Sequence, residues 1–241
     1  MERLNDDSQG PLDHLEELRF RIIITLAGWI ILTALSYTFS GRLLDIITGP
    51  LAKYQEKPYF THPVEPFMAV FKISALMGAF LNIPNTLIQV WKFVSPALES
   101  DKERRAFLYL SWGFPVFFAL GALFGFYVIV PLGLRFLFAF SRGEMAPLIS
   151  MSSYLNFILV FILGLGLVFN LPVISSGLAS AGIINSGMMR AGRRYAILFS
   201  FILAAFITPP DVVSQILVSI PLILLYEISI LLCSLIQSLN K

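Results

Sequence analysis

Carboxylates and arginines meet at two places along an otherwise apolar chain, His14-Leu15-Glu16-Glu17-Leu18-Arg19-Phe20-Arg21 and Glu99-Ser100-Asp101-Lys102-Glu103-Arg104-Arg105. A carboxylate accepts two parallel N–H bonds from a guanidinium, a fit that the point charge of lysine does not reproduce. Two acidic sites on one surface, with Trp91, Phe93 and Pro96 beside the second, suit a ligand that carries adjacent arginines. Helical spacing puts Leu12, Leu15 and Leu18 on one stripe, with Asp13, Glu16 and Glu17 on or beside the polar side. The same pattern fits a solvated amphipathic helix that anchors the following span. The second cluster likewise fits an ion-pair network at a helix start, where an exposed pair is worth at most about 1 kcal/mol.

Other chemistries lack their parts. His14 and His62 both lie outside the apolar runs, so a serine nucleophile within a membrane would have no base. No His-Glu-x-x-His pattern and no glycine-rich phosphate loop occurs, and Cys233 has no second cysteine to pair with. Cys233 reads as a small packing residue. The expectation is a protein with no catalytic residue, no metal and no cofactor. Polar residues inside the apolar runs are the other candidates: Lys72, Asn170 and Glu227, with Asn82 and Asn156. At such depth an ionisable group marks function or holds helices together by hydrogen bonds. Asn170, two residues before Pro172, is also placed to bond backbone carbonyls that a proline frees.

The elements that must position these residues follow from composition. The 241 residues are 57% hydrophobic and 13% charged, with a mean hydropathy of +0.80, against about 25% charged in an ordinary soluble chain. This is the composition of a polytopic membrane protein, read as one membrane domain over residues 1–241. The net charge of +2 is dispersed at span ends without a basic, aromatic-laced patch, so nucleic acid is not an expected partner. Six spans are expected, at about 20–39, 67–90, 107–130, 153–175, 195–208 and 212–236. The fifth would measure only about 21 Å at about 1.5 Å per residue, and Thr208-Pro209-Pro210-Asp211 would join it to the sixth in a tight hairpin.

With the N-terminus inside, Arg3, Arg19, Arg21, Lys92, Lys102, Arg104, Arg105, Arg190, Arg193, Arg194 and Lys241 all fall on inner segments. That excess places both termini in the cytoplasm. The first apolar run follows acidic residues and lacks a small-residue cleavage site, so it reads as a retained span. In the outer loop from Gly41 to Pro66, Arg42 to Ile47 reads as a short amphipathic surface helix, and Pro131 to Ser152 as a second surface loop of that kind. Pro84, Pro115, Pro172 and Pro221 predict bent helices, which build a curved wall more readily than a straight bundle.

Taken in order, the motifs resemble one family along nearly the whole chain. His14 to Arg21 is similar to the H-L-x-E-L-R-x-R signature of TatC, the multispanning receptor subunit of the twin-arginine protein translocase. Pro63-Val64-Glu65-Pro66-Phe67 with Lys72 resembles the start of its second span, and Gln89 to Leu98 with Glu103-Arg104-Arg105 resembles its first cytoplasmic loop. Ser153 to Phe157, Thr208 to Val212 with Ser214-Gln215, Ile220-Pro221-Leu222 and Tyr226-Glu227-Ile228 complete the resemblance.

The resemblance implies a receptor for Arg-Arg signal peptides of folded cargo, driven by the proton gradient. Its partners would be TatA- and TatB-type single-span proteins, further copies of itself and membrane lipid. The membrane would be the plasma membrane of a bacterium or archaeon. It implies that Glu17 and Glu103 face the two signal arginines, with Leu15, Arg19, Arg21 and Phe93 shaping that surface. Pro50, Asp211, Gln215, Tyr226 and Glu227 would serve structure, partner contact or the transport step. Asn170 departs from the family pattern, which usually places Glu or Gln there; an amide does not ionise, yet still donates and accepts hydrogen bonds. The competing reading is a small secondary transporter with a polar path through Lys72 and Glu227, although no repeated halves are present.

Overall fold

A computed structural model describes residues 11–54, 58–94, 101–139, 148–180, 182–207 and 212–239, with the backbone alone described at 11–14, 94, 101–111, 207, 213–214 and 239. Among these residues the regular structure is helical apart from one isolated bridge. Long apolar runs leave helix as the way to satisfy the backbone groups of each segment inside lipid.

The first span is α1 (Pro11–Tyr37), which packs along α3 (Glu65–Val94). Trp29 Nε1 on α1 donates to the Ala75 carbonyl of α3 at 2.9 Å. Between them α2 (Ser40–Ala52) is the expected surface helix, longer than Arg42–Ile47. Its Ile47, Pro50 and Leu51 are buried while Arg42 and Asp45 are exposed, and Tyr154 Oη clamps it by donating to the Ile47 carbonyl at 2.8 Å. Pro50 thus serves the packed face of α2.

The third span runs further than the sequence reading placed it. After α4 (Asp101–Phe124) a π-helical turn, Gly125–Ile129, leads directly into α5 (Val130–Ala139). Pro131 lacks an N–H, and in a regular helix its ring would crowd the carbonyl four residues back. The wider π turn absorbs that conflict without ending the helix. The expected surface loop from Pro131 is therefore corrected over its first part, which continues the span; residues 140–147 lie outside the described residues.

The fourth span is two helices, α6 (Met151–Val168) and α7 (Leu171–Ser180), with a break at Phe169 and Asn170. The last elements are α8 (Ser186–Ala191), α9 (Arg193–Ile207) and α10 (Val212–Leu239). Five stretches, Leu15–Tyr37, Glu65–Phe93, Trp112–Ala139, Met151–Ser180 and Gln215–Ser238, are long and apolar enough to cross a membrane. With 15 residues α9 is shorter than these and stands where the short fifth span is expected. Residues 208–211, expected as a tight hairpin and including Asp211, and residues 95–100, expected in the first cytoplasmic loop, lie outside the described residues.

The helices form a row: α3 joins α1 to α4 and α6, α7 joins these to α10, and α10 carries α9 at the far end. Pro84, Pro115 and Pro221 sit inside α3, α4 and α10, where each removes one backbone bond and favours a bend. The core lies mid-row, with Ile73, Ile129, Leu155, Ile158, Leu165 and Leu222 buried. At the row's end α1 leaves side chains such as Ile30 (64%) and Ile31 (66%) exposed, as a lipid-facing helix does. The segments before α3 and before α6 are tied together by Tyr59, whose N–H donates to the Ile149 carbonyl at 3.1 Å and whose carbonyl accepts from Met151 N–H at 2.9 Å.

Candidate functional site

Glu17 and Arg21 lie one helical turn apart on α1, so their side chains meet on one face. Arg21 Nη2 donates to Glu17 Oε1 at 2.7 Å, and the two side chains are 21% and 26% exposed. Arg21 also crosses to α3, where Nη1 donates to Gln89 Oε1 at 3.3 Å. Below this pair α1 and α3 enclose a cleft of about 250 Å³ whose walls include Leu18, Ile22, Thr86, Val90 and Phe93. The cleft is apolar inside and has an ion pair at its rim. A guanidinium would meet carboxylate there, with room for an apolar segment behind it.

The structure brings together Glu17, Arg21 and Phe93 around this cleft. Leu15 and Arg19 are exposed on α1 nearby in sequence, and neither lines the cleft. Glu103 stands in the first turn of α4, and its side chain lies outside the described residues. Gln89 holds Arg21, a role the sequence reading did not give it. The signal that could have found it is the spacing of Asn82, Asn85 and Gln89, which puts three amides on one side of an apolar helix.

A second polar group stands at the far end of the row. Arg193 Nη2 donates to Glu227 Oε2 at 2.7 Å, joining α9 to α10. Tyr226 Oη donates to the Met189 carbonyl at 2.8 Å, and Gln215 Nε2 to the Phe201 carbonyl at 3.1 Å. These bonds hold α8 and α9 on α10. The interhelical hydrogen-bonding reading thus accounts for Glu227 in the folded chain. Lys72 is met elsewhere, donating to Asn156 Oδ1 of α6 at 2.9 Å. The two residues of the transporter reading are satisfied by different helices.

Asn170 is fully buried at the break between α6 and α7. Its backbone N–H bonds Leu167, three residues back, which frees the Gly166 carbonyl; Asn170 Nδ2 takes that carbonyl at 2.7 Å. The side chain therefore completes a tightened turn; the carbonyl it takes is freed by that turn, and is not the Val168 carbonyl that Pro172 leaves without its helical donor.

The family model described as "Sec-independent protein translocase protein (TatC)" matches residues 13–221. The chain belongs to the TatC family. A TatC of Aquifex aeolicus is 37% identical over 91% of this chain and 92% of its own length. That of Carboxydothermus hydrogenoformans is 36% identical over 97% of this chain and 96% of its own. A crystal structure of the twin arginine translocase receptor TatC superposes with a TM-score of 0.74 at 37% identity, covering 93% of this chain and 99% of that one. Its counterpart in DDM gives 0.75 at 36% identity, covering 91% and 98%. This TatC-family chain is thus a multi-span membrane component of a protein translocase, a transport role within a complex of Tat subunits.

Proposed function

We propose that the chain is the receptor subunit that binds Arg-Arg signal peptides of folded proteins at its cytoplasmic face and gathers TatA- and TatB-type single-span partners for export. The observation that carries this reading is the Glu17 carboxylate paired to Arg21 at the rim of the α1–α3 cleft. An export signal has a basic segment followed by an apolar one. The rim suits the first and the cleft the second. Glu103, on the helix that follows the first inner loop, supplies the second carboxylate, while Leu15, Arg19 and Phe93 shape the approach.

In this reading residues 1–241 form one membrane domain with both termini in the cytoplasm of a bacterium or archaeon, and the proton gradient drives transport. Gln215, Tyr226 and Glu227, with Asp211 and Asn170, serve partner contact or the transport step, and further copies of the chain assemble with it. The test is binding of a labelled Arg-Arg signal peptide to the detergent-purified chain against the same peptide with Lys-Lys. Tighter binding of the Arg-Arg form supports the receptor role; equal or absent binding to well-folded protein overturns it.

A further inference from the structure

Beneath Arg21 a run of amides descends α3 into the membrane. Gln89 accepts from Arg21 and donates through Nε2 to Asn85 Oδ1 at 3.3 Å. Asn85 Nδ2 donates to Asn82 Oδ1 at 3.0 Å, and Asn82 Nδ2 donates to the Thr25 carbonyl of α1 at 2.9 Å. The run begins and ends on α1, one turn apart, and crosses α3 in between.

Its direction is dictated from the top. A guanidinium only donates, so Gln89 must turn its oxygen to Arg21 and its NH2 downward; each amide below must then do the same until a backbone acceptor closes the run. Hydrogen bonds aligned in this way in a low-dielectric setting strengthen one another. Gln89 and Asn82 are buried, at 7% and 3% exposure, so a broken rung would leave a buried polar group unpaired. Gly28 makes the foot possible: a Cβ there would lie 2.6 Å from Asn82 Oδ1 and 2.7 Å from Asn85 Nδ2.

We propose that the Asn82–Asn85–Gln89 relay is a positioning device that holds one arm of the Arg21 guanidinium on α3, so that Arg21 pairs with Glu17 through a single oxygen and leaves Glu17 Oε2, which meets no donor among the described residues, open to an incoming arginine. Released from Gln89, Arg21 would be free to close on Glu17 with both arms, the bidentate geometry that carboxylates favour. It would then compete with the ligand. The inference deepens the receptor reading and rests on it for the nature of the ligand.

The experiment uses the full chain in detergent with Asn85→Leu and Gln89→Met, which keep side-chain bulk and remove rungs, each alone and combined with Glu17→Gln. Two readouts are taken: affinity for the labelled Arg-Arg peptide, and the NMR signals of the Arg21 Nη groups, assigned with Arg21→Lys. The relay predicts that each rung variant weakens peptide binding about fivefold, the size of one lost hydrogen bond, and adds little once Glu17 is neutral. Such non-additivity between Asn85 and Glu17, which do not touch, is the mark of coupling through Arg21. It also predicts separate Nη signals in the parent that merge in both rung variants as the guanidinium rotates freely. Equal losses with and without Glu17 mean a merely structural amide and overturn the proposal. If the parent binds no peptide, the receptor reading falls, and the NMR arm decides the relay alone: unchanged Arg21 signals overturn it, merged signals support it.

Discussion

Arg193, the first residue of α9, reaches Glu227 on α10 and donates to its carboxylate at 2.7 Å. This bond ties the short fifth span to the sixth at the end of the row. The two side chains are 49% and 41% exposed, so the pair is worth no more than about 1 kcal/mol where water reaches it. Arg193→Glu or Glu227→Arg alone should destabilise the detergent-solubilised chain by about that amount, through like-charge contact. The double swap should recover most of the loss in thermal unfolding. A double variant no more stable than either single would remove the pair from the forces that hold α9.

Neutralising the candidate peptide-binding carboxylates separates recognition from folding. Glu17→Gln removes a charge-assisted bond of about 1.5–3 kcal/mol, so affinity for an Arg-Arg peptide should fall roughly 10- to 100-fold while the unfolding temperature hardly moves. Glu103→Gln is expected to act alike, and equilibrium titration of both variants checks it. Parent-like binding by both would put the arginine site elsewhere.

Close approach of α4 to α6 depends on Gly121, where a Cβ would collide with the Leu165 carbonyl of α6. Backbone does not yield as a side-chain end does. Gly121→Ala should therefore cost about 1–3 kcal/mol, seen as a lower unfolding temperature. Gly164→Ala, where a Cβ meets nothing within 4 Å, should be neutral or slightly stabilising. Equal behaviour of the two variants would contradict the packing at Gly121.

Asn170 carries one satisfied atom and one that is not: Nδ2 bonds the Gly166 carbonyl, whereas the buried Oδ1 has no partner among the described residues. Asn170→Leu loses the bond and also the unpaired oxygen, so the two effects offset and stability should change by about 1 kcal/mol or less. Asn170→Ala leaves a cavity in a fully buried site and should cost more. Unfolding in a denaturant series orders the two; a larger loss for the leucine variant would mean that the amide does more than complete the turn.

Much of the architecture was legible in the residues themselves. Apolar runs bounded by charges and prolines mark the spans, because lipid admits only helices whose backbone groups are satisfied within the segment. The shortness of α9 and a helix in the loop after the first span, expected at Arg42 to Ile47 and found longer, follow from local spacing. The order of motifs carried the family. What local pattern could not decide is how two turns resolve their prolines: Pro131 continues through a π turn, while the span holding Pro172 breaks at Asn170.

The partners of the polar residues were likewise set by the tertiary structure. Sequence spacing shows that Asn82, Asn85 and Gln89 share a side of α3, but not that this side meets Arg21 and the Thr25 carbonyl of α1. Lys72 and Glu227 read alike along the chain, as ionisable groups in apolar runs, yet one meets an amide on α6 and the other a guanidinium on α9. Helix formation and hydropathy are properties of a segment, so sequence alone determined the spans and the kinds of polar group they carry. A hydrogen bond between helices needs two segments at a fixed distance and rotation, and packing alone supplies those.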